Sequence, residues 1–452
     1  MDEDGDGRAD RFELVADGGA IERVTRAPAP GSDPGWVLVL AIDGIPYELF
    51  AEAQREGRFA GLFPASRMLA PFPSLTDVAF TAILRTEPSA AYEDKYYDRA
   101  AGEVRGGLSA RITGDYRGLA PFHDVLDWEQ PSTWGGAVYL VPGRVAEAEL
   151  VRAAEFIRAS DDPELVVYLG STDGLGHEEG WDALRAHLRR IDAVLTRLLA
   201  EGLGDRRVVL LSDHGMSDGG SRRFDLEGAL ERSGYRLADR IEDRGDVVVP
   251  AYGLIGSIQL YTACGEEAGV ARAVVAGEGA DFAAWLEGEE TVAIDPAGSP
   301  DPLDRPEEEY PALARRVAEG LRYPTPHPAN VFVSLAPGWH YGLRLFEPFV
   351  SLAGTHGAAT WRQSVGFLAS NVDRTPEWVD AAEVYPWLGL SRPPVEPPPF
   401  KPPCGARGTR VSPRPDGNSA SGVTSSRVTW RFTPPPTRSP TVPSKTMYDC
   451  RS

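Results

Sequence analysis

Carboxylates and imidazoles occur just beyond the ends of three short apolar segments of this chain. They are Asp43, Asp173, His177, Asp213 and His214. Aspartate and histidine together form a ligand set that suits zinc or another divalent transition metal. These residue types therefore predict a divalent-metal site, provided that the fold brings the three segments to one place.

The three apolar segments have the length and composition of strands that are buried on both faces. They cover residues 37–42, 165–169 and 208–211. Helical patterns lie between and after them, near residues 46–55, 77–84, 144–159, 181–200 and 225–232. Strands that alternate with helices predict an α/β fold, with a mostly parallel central sheet and helices on both faces. Ligands of such sheets bind beyond the carboxyl ends of the strands, so the acidic residues and histidines should share one edge.

Five short segments, in their order and spacing, resemble the alkaline phosphatase superfamily, and within it the type I phosphodiesterases and nucleotide pyrophosphatases. They are Asp43-Gly44, the turn at residues 72–76, Asp173 with His177, Asp213-His214, and the Gly-Thr-His-Gly turn at residues 354–357. The resemblance covers roughly residues 36–390 and is vague over 220–350. It implies an alkaline phosphatase-like fold with an irregular insertion.

The resemblance also implies two metal ions, most simply zinc, each with its own ligands. The first ion would be bound by Asp43, Thr76, Asp213 and His214. The second ion would be bound by Asp173, His177 and His356. Two metal ions about 4 Å apart can hold the attacking and leaving oxygens of an in-line displacement.

By the same resemblance Thr76 is the nucleophile, and Ser74, two residues earlier, is the competing hydroxyl. A threonine hydroxyl is a weak nucleophile at neutral pH, and a zinc ion can lower its pKa. The helical pattern at 77–84 would direct backbone N–H groups at a bound phosphoryl group.

The function implied is a metal-dependent phosphoric ester hydrolase, a phosphodiesterase or nucleotide pyrophosphatase that acts through a phospho-threonine intermediate. The alternatives are a phosphomonoesterase or phosphonate hydrolase of the same superfamily, or a non-catalytic metal-binding surface protein. The substrate would be a small phosphate ester such as a nucleotide. Many relatives contact the phosphate with an asparagine near the position of Asp94, so Asp94 and its neighbour Lys95 are the predicted substrate contacts.

The N-terminus matches the spacing of a twelve-residue calcium loop. Its candidate ligands are Asp2, Asp4, Asp6, Asp10 and Glu13. The alternative is an acidic, solvated leader, since no helix precedes the loop. The segment from 12 to 24, with its Asp-Gly-Gly turn, predicts a β-hairpin.

Composition limits the partners and the compartment. The net charge of −21 argues against binding of a nucleic-acid polymer. No apolar stretch approaches the roughly 18 residues that a membrane-spanning helix needs. The acidic residues 1–15 do not form a signal peptide, yet a calcium-type leader favours the periplasm or the extracellular space over the alternative, the cytoplasm.

The predicted organisation is a leader and linker at 1–35, a catalytic domain at 36–390 with an insertion around 220–350, and a disordered Pro/Ser/Arg-rich tail at 391–452. Three cysteines exclude a disulfide scaffold. His187 falls in a charged helical pattern and is predicted to lie at the surface.

Overall fold

The computed structural model of the chain describes residues 1–3, 5–16, 18–107, 110, 116–131, 141–251, 253–343 and 352–404. The strands are β1 Arg11–Val15, β2 Ile21–Arg26, β3 Val37–Ile42, β4 Ser66–Leu69, β5 Lys95–Asp98, β6 Glu103–Gly106, β7 Glu164–Leu169, β8 Arg207–Leu211, β9 Arg222–Arg223, β10 Arg236–Leu237, β11 Asp246–Val248, β12 Ser257–Thr262, β13 Ala280–Glu287, β14 Glu290–Ile294, β15 Val331–Leu335, β16 Trp339–His340, β17 Val365–Ser370 and β18 Trp378–Asp380. The α-helices are α1 Tyr47–Arg55, α2 Thr76–Leu84, α3 Tyr116–Leu119, α4 Pro142–Ala159, α5 Ser171–Glu201, α6 Leu226–Glu231, α7 Glu267–Val275, α8 Leu313–Gly320, α9 Trp361–Ser364 and α10 Tyr385–Leu388.

The central sheet has six strands in the order β18-β4-β17-β8-β3-β7. The three strands predicted from sequence, β3, β7 and β8, are mutually parallel, and β18 is parallel to β4. Strand β17 runs antiparallel to both of its neighbours. The sheet is therefore mixed: five strands run in one direction and β17 runs against them. The cause is the path of the chain, because β17 begins just after the turn at residues 354–357 and must run away from that edge.

Helices cover both faces of the central sheet. Successive side chains of β3 point to opposite sides, so both faces present apolar side chains that need to be covered. Leu38, Leu40 and Ile42 pack on one side in a core that includes residues of α1, α4 and α5. Val37, Val39 and Ala41 pack on the other side with residues of α2 and α10, and all six side chains of β3 are buried. This layered burial confirms the α/β class.

A second six-stranded sheet, in the order β10-β11-β12-β15-β13-β14, occupies the region that looked irregular in the sequence. One of its cores includes Phe282 and Phe332 together with Phe72 and Leu75, which come from the turn before α2. The second sheet therefore packs directly against the segment that carries Thr76. The domain boundaries given above stay a prediction.

Helix α5 begins ten residues earlier than the pattern at 181–200 predicts. Gly180 interrupts it with φ 72° and ψ −163°, a conformation that glycine adopts without a Cβ clash. Asp173 and His177 therefore lie one turn apart in a short helical segment that precedes the kink. The spacing of apolar residues did not predict this segment, because polar residues and glycines occupy most of its positions.

The predicted N-terminal hairpin is present as the antiparallel pair β1 and β2, with Arg11 opposite Arg26. Phe12 at its base is buried in the same core as α1 and α5. Among the described residues, no helix combines the length and the apolar composition that crossing a membrane requires.

His187 is buried in α5 with 1% of its surface exposed, so its prediction as a surface residue was wrong. The charged residues around it in sequence lie on the outer face of the helix, while His187 itself points inward. Neither ring nitrogen has a hydrogen-bond partner among the described residues. Burial, followed by the charge of Arg190, lowers its pKa to about 4.

This burial predicts an acid-dependent loss of stability. The folded-state pKa of His187 lies below its unfolded value, so the stabilising neutral form is lost as the pH falls from about 6.5 towards 4. The unfolding free energy of the wild-type protein should be lower at about pH 4 than at about pH 7. We expect His187→Leu to reduce this difference by up to about 3 kcal/mol. Urea denaturation of the wild-type and variant proteins at the two pH values measures this difference. The same pH dependence of unfolding free energy in both proteins would contradict the burial of His187.

The first part of the predicted tail, residues 391–404, makes specific contacts with the fold. Ser391 N donates to Glu164, and Val395 N donates to the carbonyl of Arg85 at 2.9 Å. Cys404 forms a disulfide with Cys264, which is 140 residues away in sequence. Composition alone could not reveal this pairing. Residues 405–452 lie outside the described residues.

We expect Cys264→Ser to lower the unfolding free energy by roughly 2–5 kcal/mol, because the crosslink restricts the unfolded chain. Deletion of residues 392–452 should cost at least as much, whereas deletion of 405–452 should change stability little. Thermal and urea unfolding of the three variants under non-reducing conditions test this. If the protein that lacks residues 392–452 were as stable as the full-length protein, the disulfide would contribute nothing to stability.

Candidate metal centre

Pairing of β3 with β7 and β8 brings the first two carboxylates together. Asp43 directly follows β3, and Asp213 lies two residues after β8, at the same edge of the sheet. Their exposed fractions are 4% and 0%. The backbone N–H of Gly44 donates to Asp213 Oδ1 at 3.2 Å. Asp173 approaches the same point, since a Cβ on Gly44 would lie 3.1 Å from its Oδ1.

Three buried histidines at this edge are each fixed by a backbone carbonyl. Nδ1 of His177 donates to Gly354 at 2.9 Å, and Nδ1 of His214 donates to Gly215 at 2.8 Å. Nδ1 of His356 donates to the carbonyl of Ser74 at 3.0 Å. Because Nδ1 carries the proton, Nε2 of the neutral ring presents a lone pair, which is the arrangement common among metal-binding histidines.

Each Nε2 atom faces a carboxylate oxygen. The distances are 3.3 Å from His214 to Asp213 Oδ2, 3.4 Å from His214 to Asp43 Oδ1, 3.4 Å from His177 to Asp173 Oδ2 and 3.4 Å from His356 to Asp173 Oδ1. Asp173 Oδ1 and Asp213 Oδ2 are buried without a hydrogen-bond partner among the described residues. Lone pairs facing carboxylates repel one another unless a cation lies between them. The donor set therefore fits a divalent metal ion.

The ligand atoms form two groups whose members lie within 4.8 Å of one another. One group is Asp43, Asp213 and His214, and the other is Asp173, His214 and His356. The first group coincides with the predicted ligands of the first ion. In the second group His214 takes the place predicted for His177, although His177 and His356 are adjacent, with ring centres 5.1 Å apart. The assignment of His177 to the second ion stays a prediction.

The electrostatics of the cluster also favour a bound cation. Burial, and then the charges of Asp213 and Asp173, raise the pKa of Asp43 well above its usual range. Burial, together with repulsion from His214, lowers the pKa of His356 to about 3, so this imidazole stays neutral. For Asp173, burial opposes ionisation, but the neighbouring histidines prevail and lower its pKa. A divalent ion would stabilise the ionised carboxylates and the neutral imidazoles together.

Thr76 is the first residue of α2, and its hydroxyl reaches the first ligand group. Oγ1 donates to Asp43 Oδ1 at 3.4 Å and lies 3.3 Å from His214 Nε2. The N-cap position, Leu75, provides no side-chain hydrogen bond to the helix. The first N–H groups of a helix have no partner within the helix, and those of α2 lie beside the hydroxyl.

The competing hydroxyl, Ser74, lies in a different environment. It is fully buried, and its Oγ lies 3.0 Å from Ser364 Oγ and accepts from the guanidinium of Arg316 at 2.9 Å. Arg316 is itself buried and also donates to the carbonyl of Ala70. Ser74 therefore belongs to the structural support behind the site, while its backbone carbonyl orients His356.

Several supporting side chains were missed in the sequence. The hydroxyl of Tyr168 donates to Asp43 Oδ2, and that of Thr172 donates to the Asp43 carbonyl at 2.6 Å. Ser212 Oγ accepts from Ile45 N at 2.8 Å and donates to the His214 carbonyl at 3.0 Å. Tyr168 was the one polar group in an apolar strand, and this was the signal that could have revealed it.

One of the two predicted substrate contacts, Lys95, lies at a neighbouring cleft. Lys95 lines this cleft together with Tyr92, Ile255 and Tyr261, among other residues. Its pKa is lowered by burial, against the charges of Glu93 and Asp94. The cleft is linked to the metal centre through the backbone, because Gly256, which lies between the lining residues Ile255 and Ser257, donates its N–H to the His356 carbonyl at 2.6 Å. Direct contact of Asp94 or Lys95 with a substrate stays a prediction.

The calcium-loop residues are arranged as a tight N-terminal turn. Asp2 accepts from the N–H groups of Gly5 and Gly7, and the buried side chain of Arg8 lies 3.7 Å from Asp6 and 3.0 Å from Asp10. Glu13 pairs with Arg11, and Asp4 lies outside the described residues. Calcium binding stays a prediction.

Two solved structures are similar in shape to this chain, and the first of them, with the higher TM-score, supports the class of fold. Phosphonoacetate hydrolase from Sinorhizobium meliloti, solved with phosphonoformate, is 14% identical over 84% of this chain and 99% of its own, with a TM-score of 0.51. Murine ectonucleotide pyrophosphatase/phosphodiesterase 5 is 14% identical over 80% of this chain and 97% of its own, with a TM-score of 0.48. No curated protein matches the chain.

The family model of type I phosphodiesterases and nucleotide pyrophosphatases matches residues 81–263. The matched segment includes four predicted ligands, Asp173, His177, Asp213 and His214. The resemblance seen in the sequence motifs is thereby confirmed. So is the class of enzyme, a hydrolase that acts on phosphoric ester bonds.

The geometry predicts two equivalents of divalent metal per chain, measured by elemental analysis of protein purified without chelators. Asp213→Asn should lower this by about one equivalent, because it weakens one charged ligand of the first group. The matched control is Asp281→Asn, since Asp281 is also a buried carboxylate but lies in the second sheet, paired with Arg305. A metal-free protein with full esterase activity would contradict the metal centre.

Proposed function

We propose that the chain is a divalent-metal-dependent phosphodiesterase with Thr76 as its nucleophile. The observation that carries the proposal is the position of the Thr76 hydroxyl, 3.4 Å from Asp43 Oδ1 and 3.3 Å from His214 Nε2. A nucleophile next to a metal-binding group at a helix N-terminus is the arrangement that phosphoryl transfer requires.

Asp43, Asp213 and His214 would hold one ion beside Thr76. Asp173 and His356 would hold the other, with His177 as the further ligand that the sequence resemblance implies. When bound, zinc or a similar ion would lower the pKa of the hydroxyl and neutralise charge on the phosphoryl oxygens. The remaining work falls to the chain itself: Tyr168 and Thr172 hold Asp43, and backbone carbonyls hold the imidazoles.

The reaction proceeds in two displacements. Thr76 Oγ1 gives its proton to solvent and forms a bond to phosphorus. The bond from phosphorus to the departing alcohol oxygen breaks, and that oxygen takes a proton from solvent. The N–H groups at the start of α2 donate to the phosphoryl oxygens. Water then attacks the phospho-threonine, releases the phosphate product and restores the hydroxyl.

The leaving group would occupy the cleft beside the His356 turn. The cleft offers the aromatic side chains of Tyr92, Tyr261 and Tyr341 and the ammonium group of Lys95. This combination suits an ester with a planar or apolar group and a second anionic group, such as a nucleotide. Phosphate monoesters and phosphonates are the alternative substrates of the same site, and all three classes belong in the assay.

The compartment that we propose is the periplasm or the extracellular space. The disulfide between Cys264 and Cys404 persists best in an oxidising compartment. A calcium-type leader at Asp2–Glu13 is consistent with a calcium-rich exterior.

The decisive variant is Thr76→Ala, for which we expect turnover of a chromogenic phosphate diester to fall by at least about 10³, because the attacking oxygen is lost. Thr76→Ser should retain partial activity. Trapping the phosphorylated peptide from quenched turnover should locate phosphate on residue 76.

Ser74→Ala is the control for this experiment. It is expected to lower stability through its contact with Arg316, with a much smaller effect on turnover per folded protein. Loss of turnover in Ser74→Ala with turnover retained in Thr76→Ala would overturn the assignment. Running a monoester and a phosphonate in parallel identifies the preferred substrate class.

A further inference from the structure

A buried carboxylate outside the ligand set holds the helix that carries two of the predicted ligands. Glu149 lies in α4 with 1% of its surface exposed. Its Oε1 accepts from Gly170 N at 3.1 Å, and its Oε2 accepts from Ser171 N at 3.0 Å. These two N–H groups belong to the N-terminal end of α5, which provides Asp173 and His177.

The helix α5 has no cap of its own. Its N-cap position is Gly170, which has no side chain to accept a hydrogen bond. A side chain is excluded there, because a Cβ on Gly170 would lie 2.7 Å from the ring of Tyr168. Tyr168 in turn donates to Asp43, so the space is already used by the first ligand group. The acceptor that the helix needs therefore comes from α4.

The helical segment held in this way is short. It runs from Ser171 to the break at Gly180, and both Asp173 and His177 lie within it. Four unpaired N–H groups at a helix start favour fraying unless acceptors satisfy them. Movement of this segment would carry the two side chains out of place together, whereas Asp43 and Asp213 are held by sheet pairing.

A fully buried carboxylate is costly to retain. Burial raises the pKa of Glu149 to about 8, although the hydrogen bonds from Ser171 and Gly170 act in the opposite direction. A leucine or methionine would fill the same space, but it would leave the N–H groups of Gly170 and Ser171 without this acceptor. The acid therefore serves the start of α5 as well as the packing of the core.

We propose that Glu149 is a positioning residue, whose carboxylate fixes the first turn of α5 and thereby places Asp173 and His177 for the second divalent ion. The inference rests on the proposed function, since it names a residue that serves the second ion. The hydrogen bonds of Glu149 run to the backbone of residues 170 and 171, so it acts on the two ligands through the helix.

The test is a spectroscopic titration of metal-free full-length protein with Co²⁺, which reports binding without requiring turnover. For Glu149→Gln we expect the affinity for one of the two equivalents to fall by about 10- to 100-fold, the range known for outer-shell partners of metal ligands. The other equivalent should change by less than about threefold. The equivalent that weakens should be the one that His177→Ala removes. Glu149→Asp, which keeps a carboxyl group, should recover part of the loss.

The matched control is Asp246→Asn. Asp246 is also 1% exposed and also accepts two backbone N–H bonds, from Glu242 and Asp243, but it lies at the start of β11 in the second sheet. It should leave both Co²⁺ equivalents unchanged. If Glu149→Gln does not fold, the same comparison is made with Glu149→Asp, for which a selective loss at the second equivalent is still expected.

Unchanged titration of a folded Glu149→Gln protein, or equal weakening of both equivalents, would overturn the role of Glu149 and leave the proposed function standing. A wild-type protein that binds no Co²⁺ would instead overturn the proposed function, and this inference with it.

Discussion

The structure depends on the convergence of three carboxylates, Asp43, Asp173 and Asp213, at one buried edge of the central sheet. Their repulsion cannot be relieved by the imidazoles beside them, because each ring already uses its Nδ1 proton on a backbone carbonyl. What remains at the centre is a set of lone pairs. A cation bound there would stabilise such an arrangement, since buried like charges and unpaired acceptors are each costly.

The carbonyls that orient the histidines come from segments that the two sheets bring together. The Ser74 carbonyl orients His356, and Ser74 itself is held by Arg316 from α8, beside the second sheet. The Gly354 carbonyl orients His177 from the turn before β17. The second sheet is thus more than a cover over the site. The core of the second sheet packs on the turn that carries Ser74 and Thr76. Through the Ser74 carbonyl, this packing helps to orient the predicted ligand His356.

Much of this could be predicted from the sequence because the decisive contacts are local. Asp43 and Asp213 follow strands whose apolar runs are unambiguous, and parallel pairing places such residues side by side. The direction of β17 relative to its neighbours could not be predicted, because the apolar composition of a buried strand does not depend on the direction in which the strand runs. Glu149 and the inward-facing His187 were equally hidden, since both lie in helical patterns rich in charged residues. Their roles depend on which helix packs against them.

The turn contains two hydroxyl side chains, Ser74 and Thr76, and the change of backbone conformation between them gives them different surroundings. Ser74 precedes the helix, pairs with Gly357 in an isolated bridge and points into the protein. Thr76 is the first helical residue, and the helix directs its side chain to the opposite side, towards Asp43 and His214. Two residues apart in sequence, one side chain binds the scaffold and the other reaches the site. The start of α2 therefore places the proposed nucleophile, Thr76, beside the helix N–H groups that would receive the phosphoryl oxygens.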